Sequence, residues 1–284
     1  MKYYHHYTKT GLINLVKDKF GVSSLLSPPE ANPKVAKNKN NKVITAPLHL
    51  APANRSGYEV CPMRSKGCTA ACLHTAGNPA YMAGKERARV ARTKLYFENR
   101  ELFMALLCKE IDSLVKKHHK NGYEIGLRLN ATSDIPWENV KYLGKTLMEH
   151  YPKITFYDYT KRHNRKNLPN NYSLTYSLAE DNYERAVKAF ENGMNVAVVF
   201  RDGLPNKFRL GLHLADVING DETDYRPDDK KGVVVGLKAK GDAKTDTSGF
   251  VQETQEPFMP LKSNLKTNNL KGGKIKVQFT RMEI

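Results

Sequence analysis

Residues 172–200 spell out a strand, a helix and a strand joined by very short connections, and this limits the fold more than any other feature of the chain. Residues 172–177 (Tyr-Ser-Leu-Thr-Tyr-Ser) read as a strand. Residues 181–191 read as a helix: Asp181 and Glu184 have capping-box spacing, and Asn192-Gly193 is a strong stop signal. Asn195-Val-Ala-Val-Val-Phe200 is then continuously apolar, as expected of a strand covered on both faces. Strands joined through a helix by such short connections pair in parallel. The expected fold is α/β, a partial or irregular β/α barrel with a mostly parallel sheet.

The same grammar extends in both directions. Residues 43–50 read as a strand, and residues 79–120 as predominantly helical, with a break near Glu98-Asn99 or Gly84. Residues 123–130 form a strand ending in the polar turn Asn130-Ala131-Thr132-Ser133-Asp134. Ser133 or Asp134 is placed to cap a helix that Pro136 helps begin and that runs to about residue 150. Residues 154–159 and 232–238 are further strands, residues 210–218 a buried helix or strand, residues 221–229 an acidic loop, and residues 275–280 a last strand. The expected organisation is an extension over 1–42, a main α/β domain over 43–256 and a tail over 257–284.

A chain of 284 residues can bury a sizeable core. No stretch approaches the roughly 18 to 20 apolar residues of a membrane span, and the first thirty residues lack the apolar run of a signal peptide. The expectation is a soluble, cytoplasmic protein with no membrane partner. Its net charge of +17 raises the local concentration of anions, so a nucleotide or nucleic acid is the expected partner class.

Three of the four cysteines fall within twelve positions, Cys61-Pro-Met-Arg-Ser-Lys-Gly-Cys68-Thr-Ala-Ala-Cys72. In a reducing compartment, clustered thiols more often hold metal than form a disulfide scaffold. Three thiolates suit a [4Fe-4S] cluster with one open iron, or zinc with a fourth ligand; reduced thiols or a transient disulfide are the remaining readings. Cys108, on an apolar helix face with Met104, Ile111 and Val115, is the candidate fourth ligand, with His74, His49 and His213 as others. In a parallel sheet, ligands gather at the carboxyl ends of the strands. Those ends supply Asp134, Asp158 and Lys161 as candidate catalytic groups, and Asn130 and Arg162 as candidate cofactor-binding groups.

Four motifs in order carry a family resemblance: the cysteine loop, Asn130-Ala-Thr-Ser-Asp134, Tyr157-Asp-Tyr-Thr-Lys161, and Thr223-Asp-Tyr-Arg226 with Asp229 and residues 232–241. Together they resemble the bacteriophage gene product 88 family over about residues 43–245, which implies a viral protein acting in an infected host cell. The cysteine loop is also distantly similar to that of radical S-adenosylmethionine enzymes, although their C-x3-C-x2-C spacing is here C-x6-C-x3-C. That similarity implies S-adenosylmethionine as a co-ligand, an electron donor as a partner, and redox or radical chemistry. The contrasting expectation is a metal-stabilised nucleic-acid-binding protein without catalysis.

Overall fold

The computed structural model describes residues 4–31, 33–73 and 83–254. Helix α1 (Lys9–Phe20) starts where the Thr8 hydroxyl accepts the Gly11 amide and ends at Gly21, whose φ of 69° is the left-handed conformation of a helix stop. A short turn, α2 (Pro33–Ala36), precedes strand β1 (Val43–Pro47), every residue of which is buried. Helix α3 (Lys66–Ala70) lies within the cysteine loop. Helices α4 (Ala83–Glu98) and α5 (Arg100–His118) are separated at Asn99, whose side chain leaves the helical path to accept the Leu102 amide. The break falls where the sequence places it.

Strand β2 (Glu124–Arg128) leads into a region that the sequence misreads. Residues 136–150 are not one helix. They form a 3-10 turn at Trp137–Asn139, a hairpin of β3 (Lys141–Tyr142) and β4 (Lys145–Thr146), and a short helix α6 (Leu147–His150). Leu143 and Gly144 both have positive φ, 50° and 81°, the signature of a tight two-residue hairpin turn. Thr146 and Glu149 then make a reciprocal capping box for α6.

The chain continues through β5 (Thr155–Thr160), β6 (Tyr172–Ser177), α7 (Tyr183–Glu191), β7 (Val196–Phe200), β8 (Lys207–Leu210), β9 (His213–Asn219) and β10 (Val233–Lys238). The capping box expected at Asp181 does not form. Asn182 is the N-cap residue, and its side chain instead bonds the Ala179 amide and the Ser177 carbonyl. Residues 210–218 are strand, as one of the two readings has it, within the hairpin β8–β9; Leu210 and Ala215 are buried, but Leu212 at the tip is 96% exposed and the rest of the stretch is not buried. The expected strand over 275–280 and the tail lie outside the described residues.

The main sheet has eight strands in the order β1-β2-β5-β6-β7-β10-β9-β8, parallel except for the β8–β9 pair. This is a mixed α/β fold with a mostly parallel sheet. Alternate residues point to opposite faces. Ile44, Leu48, Ile125, Leu127, Phe156 and Leu174 point to the face covered by α1, α4 and α5, where they share one core with Leu12, Val16, Leu95 and Leu106. Tyr176, two residues after Leu174 and so on the same face, packs against Ala186 and Ala189 of α7. The N-terminal segment takes part in this core and is tied down at Glu110 of α5, whose carboxylate accepts the amides of Leu25 and Leu26 at 2.7–3.1 Å.

Candidate functional site

The other face of the sheet is polar at its centre. Thr45, Arg128, Tyr157 and Tyr159 point to it from β1, β2 and β5, and residues 223–229 fold across them. Asp224 accepts both bonds from Arg128 Nη1, at 2.9 and 3.1 Å, and a third from the Tyr157 hydroxyl at 3.2 Å. Tyr225 sets its ring 5.3 Å from that of Tyr157. This close approach explains Gly126: a Cβ there would stand 3.1 Å from both the Tyr225 ring and the Thr45 hydroxyl. Asn38 completes the clasp, donating to Thr45 Oγ1 and accepting from Thr223 and from the Asp224 amide.

The electrostatics follow from burial and pairing. Burial opposes the Arg128 charge most strongly of any single influence, but Asp224 together with Tyr159, Tyr157 and Asp158 outweighs it and keeps the guanidinium protonated, 4.8 Å above the Tyr159 ring. His49, just beyond β1, is pushed down to about 3, first by burial and then by Arg89, Arg128 and Arg92. It is therefore a neutral imidazole at physiological pH, with Nδ1 3.2 Å from Ser27 Oγ. Arg92 of α4 reaches the Ser24 carbonyl at 2.7 Å. Arg89 of the same helix is under the influence of Glu86 and Cys72.

The cysteine loop leaves the end of β1 and is bonded to the loop after β2. Thr132 Oγ1 donates to the Leu50 carbonyl at 2.6 Å, and the Asp134 amide to that of Val60 at 2.8 Å. Ser65 caps α3, and Glu180, beyond β6, grips the same turn by accepting from Ser65 Oγ at 2.7 Å and from the Gly67 amide at 2.6 Å. A Cβ at position 67 would stand 2.0 Å from Ser248 Oγ and 2.8 Å from the Glu180 carboxylate, so any larger residue would displace both side chains. Within this loop Cys61 is pushed up to about 12 by burial, with Cys72, Asp134 and Cys68 adding to the effect. Cys108 lies elsewhere, on α5 in the helix layer, beside Tyr151 and raised to about 11 by burial. His74 lies outside the described residues.

The structure gathers the candidate catalytic and cofactor-binding residues at the carboxyl ends of β2 and β5, whereas His213 lies apart on the β8–β9 hairpin, exposed beside Glu191. Asp158 accepts from the Asn130 amide at 2.7 Å, from Asn130 Nδ2 at 3.3 Å and from the Tyr172 hydroxyl at 2.8 Å. Burial nevertheless raises it to about 7. Asn130 Oδ1 accepts from Ser133, the Ile135 amide and Trp137 Nε1. Asp134 is not a helix cap. It joins the two loops by accepting from Thr160 Oγ1 at 2.7 Å and from the Lys161 amide at 3.0 Å, while Arg162 Nε donates to its carbonyl. Lys161 Nζ donates to Ser177 Oγ at 2.8 Å and lies over the Phe250 ring. Sequence reasoning missed Arg89, Arg92, Arg128, Tyr159 and Asp224 as site groups. Their one sequence signal was Thr223-Asp-Tyr-Arg226, a polar motif too specific for an ordinary loop.

The fold defines the class: a mixed α/β protein with a mostly parallel eight-stranded sheet. Residues 24–254 match the Gene product 88 family, and the chain belongs to that bacteriophage-associated family. No curated protein and no solved structure matches it. Among the described residues, no helix is long and apolar enough to cross a membrane.

Proposed function

We propose that the carboxyl edge of the sheet binds a phosphate-bearing ligand, a nucleotide or a nucleic-acid segment, beside a cysteine loop that takes up an iron–sulfur cluster. The observation that carries this reading is the convergence of Arg89 and Arg92 from α4 with His49 and Arg128 from the strand ends, next to Cys72. Neighbouring guanidiniums fit phosphate oxygens, and the chain's net charge of +17 favours the same partners.

The donor chemistry of the loop fits a cluster: three thiols on one short segment, with arginine charge nearby to offset thiolates. Among the described residues, no group of three or more His, Cys, Asp or Glu is yet arranged as a ligand shell, so uptake would draw the thiols together. Cys61, Cys68 and Cys72 would hold the [4Fe-4S] cluster, which when bound supplies an electron-transfer centre with one open iron. Zinc on the same thiolates would only fasten the loop. Asp134, next to Cys61, together with Asp158 and Lys161, would handle protons at this edge, while Asn130 and Arg162 would orient a bound cofactor. Radical chemistry with S-adenosylmethionine and an electron donor is the further extension, supported by the cysteine-loop similarity alone. The strand sequence β1-β2-β5-β6-β7, with helices on one face, supports reading the sheet as a partial β/α barrel.

The test is binding of a labelled single-stranded oligonucleotide and of ATP to the full chain. Arg89→Ala should weaken at least one of them about tenfold or more, the loss of a charge-assisted contact. Failure of both to bind, or equal affinity in the variant, would contradict the reading.

A further inference from the structure

A second cavity, of about 640 Å³, opens away from the cysteine loop, between the β5–β6 connection and the end of α7. It is lined by His163, Arg165, Lys166, Asn170, Asn192 and Lys231, among others, and no carboxylate lines it among the described residues. Much of its wall comes from the residues that begin β6 and precede β7 and β10. It therefore sits toward the amino ends of those strands, whereas the cysteine and arginine site occupies the carboxyl edge.

The cationic wall is built into the fold. Arg165 is only 8% exposed, and its Nε and Nη2 are spent on Glu138, with Nη2 also donating to the Tyr172 hydroxyl. Its Nη1 has no hydrogen-bond partner, with the Asp134 carboxylate 3.9 Å away. His163 Nδ1 is likewise buried without a hydrogen-bond partner. Buried polar atoms are almost always satisfied, so these two leave unspent hydrogen-bonding capacity just behind the cavity wall. Lys166 and Lys231 are exposed at the cavity and supply mobile positive charge. The amides of Asn170 and Asn192 can donate or accept.

We infer that this cavity binds a small phosphate-bearing anion, with Arg165 and His163 at its buried end and Lys166 and Lys231 closing over the outer oxygens. The volume lies within the range of small-molecule sites, roughly 300 to 1,000 Å³, and admits a diphosphate or a nucleotide. The absence of a carboxylate in the lining selects against cations. The inference does not rest on the proposed function at the carboxyl edge, although Arg165 touches that edge through Asp134, 3.9 Å from Nη1, and through the Tyr172 hydroxyl that also bonds Asp158.

The probe is pyrophosphate, titrated calorimetrically into the full chain at low salt. The wild-type protein should bind it, and Lys166→Glu/Lys231→Glu should weaken binding by about tenfold or more, because both side chains are exposed and reverse charge without disturbing the core. Lys231→Gln should show a smaller loss in the same direction, which keeps the test valid if the double variant folds poorly. Lys17→Glu, a charge reversal at an exposed position of α1, should leave the affinity unchanged. No binding by the wild-type protein, undiminished binding by the double variant, or an equal loss in Lys17→Glu would overturn the inference.

Discussion

The two faces of the sheet are built from alternate residues of the same strands, yet they are held by different physics. On the helix side, Leu127 of β2 and Phe156 of β5 are fully buried among apolar side chains, and the stabilisation is area removed from water, which has no preferred direction. On the opposite side, Arg128 of β2 and Tyr157 of β5 meet Asp224, and what holds is a directional set of bonds to one carboxylate. The comparison teaches that one face makes the fold and the other fixes a particular segment, residues 223–229, across the sheet. A buried ion pair is a weak source of net stability, but it is costly to break from one side.

The sharpest way to break this comparison is Asp224→Ala, which strands the Arg128 guanidinium. It should cost about 3–5 kcal/mol in denaturant unfolding, and adding Arg128→Met should recover much of that loss. On the apolar face, Leu127→Ala should cost about 2–5 kcal/mol, and no partner substitution should rescue it. Rescue in the second case, or none in the first, would erase the distinction.

Asp158 sharpens the comparison by pH. Its folded-state value of about 7 lies above its ordinary value of 3.8, so the folded protein keeps a proton that the unfolded chain gives up. Its contribution is therefore complete on the acid side of 3.8 and fades as pH rises toward 7, by at most about 1.4 kcal/mol per pH unit. The groups around it are Tyr172, Arg128 and Arg165. Asp158→Asn should flatten the stability profile across this window, measured by thermal melts from pH 4 to 7.5; an unchanged slope would mean that another group carries it. The smallest effect expected is at Ser65, whose hydroxyl caps α3. Ser65→Ala should cost about 1 kcal/mol and loosen the Glu180 grip on the cysteine loop, visible as faster amide exchange at Gly67 and Cys68.

Much of the helix-side architecture was legible because burial on one side leaves a local periodic record. Residues 172–177 and 195–200 declared themselves as strands, and a break near Glu98-Asn99 or Gly84 followed from a helical pattern too long for one helix; the structure puts it at Asn99, which caps α5. The hairpin at 141–146 was hidden because its turn needs positive φ at Leu143 as well as at Gly144, and leucine does not signal that conformation. Residues 221–229 read as an acidic surface loop because charge normally seeks water. Asp224 and Arg226 are buried here, since Arg128 lies ninety-six residues away in sequence and such pairing leaves no local pattern. The same reason concealed Arg89 and Arg92: on a helix rich in basic residues, nothing local tells the two that turn toward His49 from those that face water. The cysteine cluster was visible in the sequence; in the structure Cys61, Cys68 and Cys72 stay on one loop bonded to the carboxyl edge, while Cys108 belongs to the helix layer.

The most direct test is iron, sulfide and zinc quantitation on protein prepared without oxygen, for the wild type, Cys108→Ala and Cys68→Ala. The account predicts about four irons and four sulfides per chain in the wild type and in Cys108→Ala, and their loss in Cys68→Ala. Stoichiometric zinc, no metal at all, or a cluster that survives Cys68→Ala but not Cys108→Ala would contradict it.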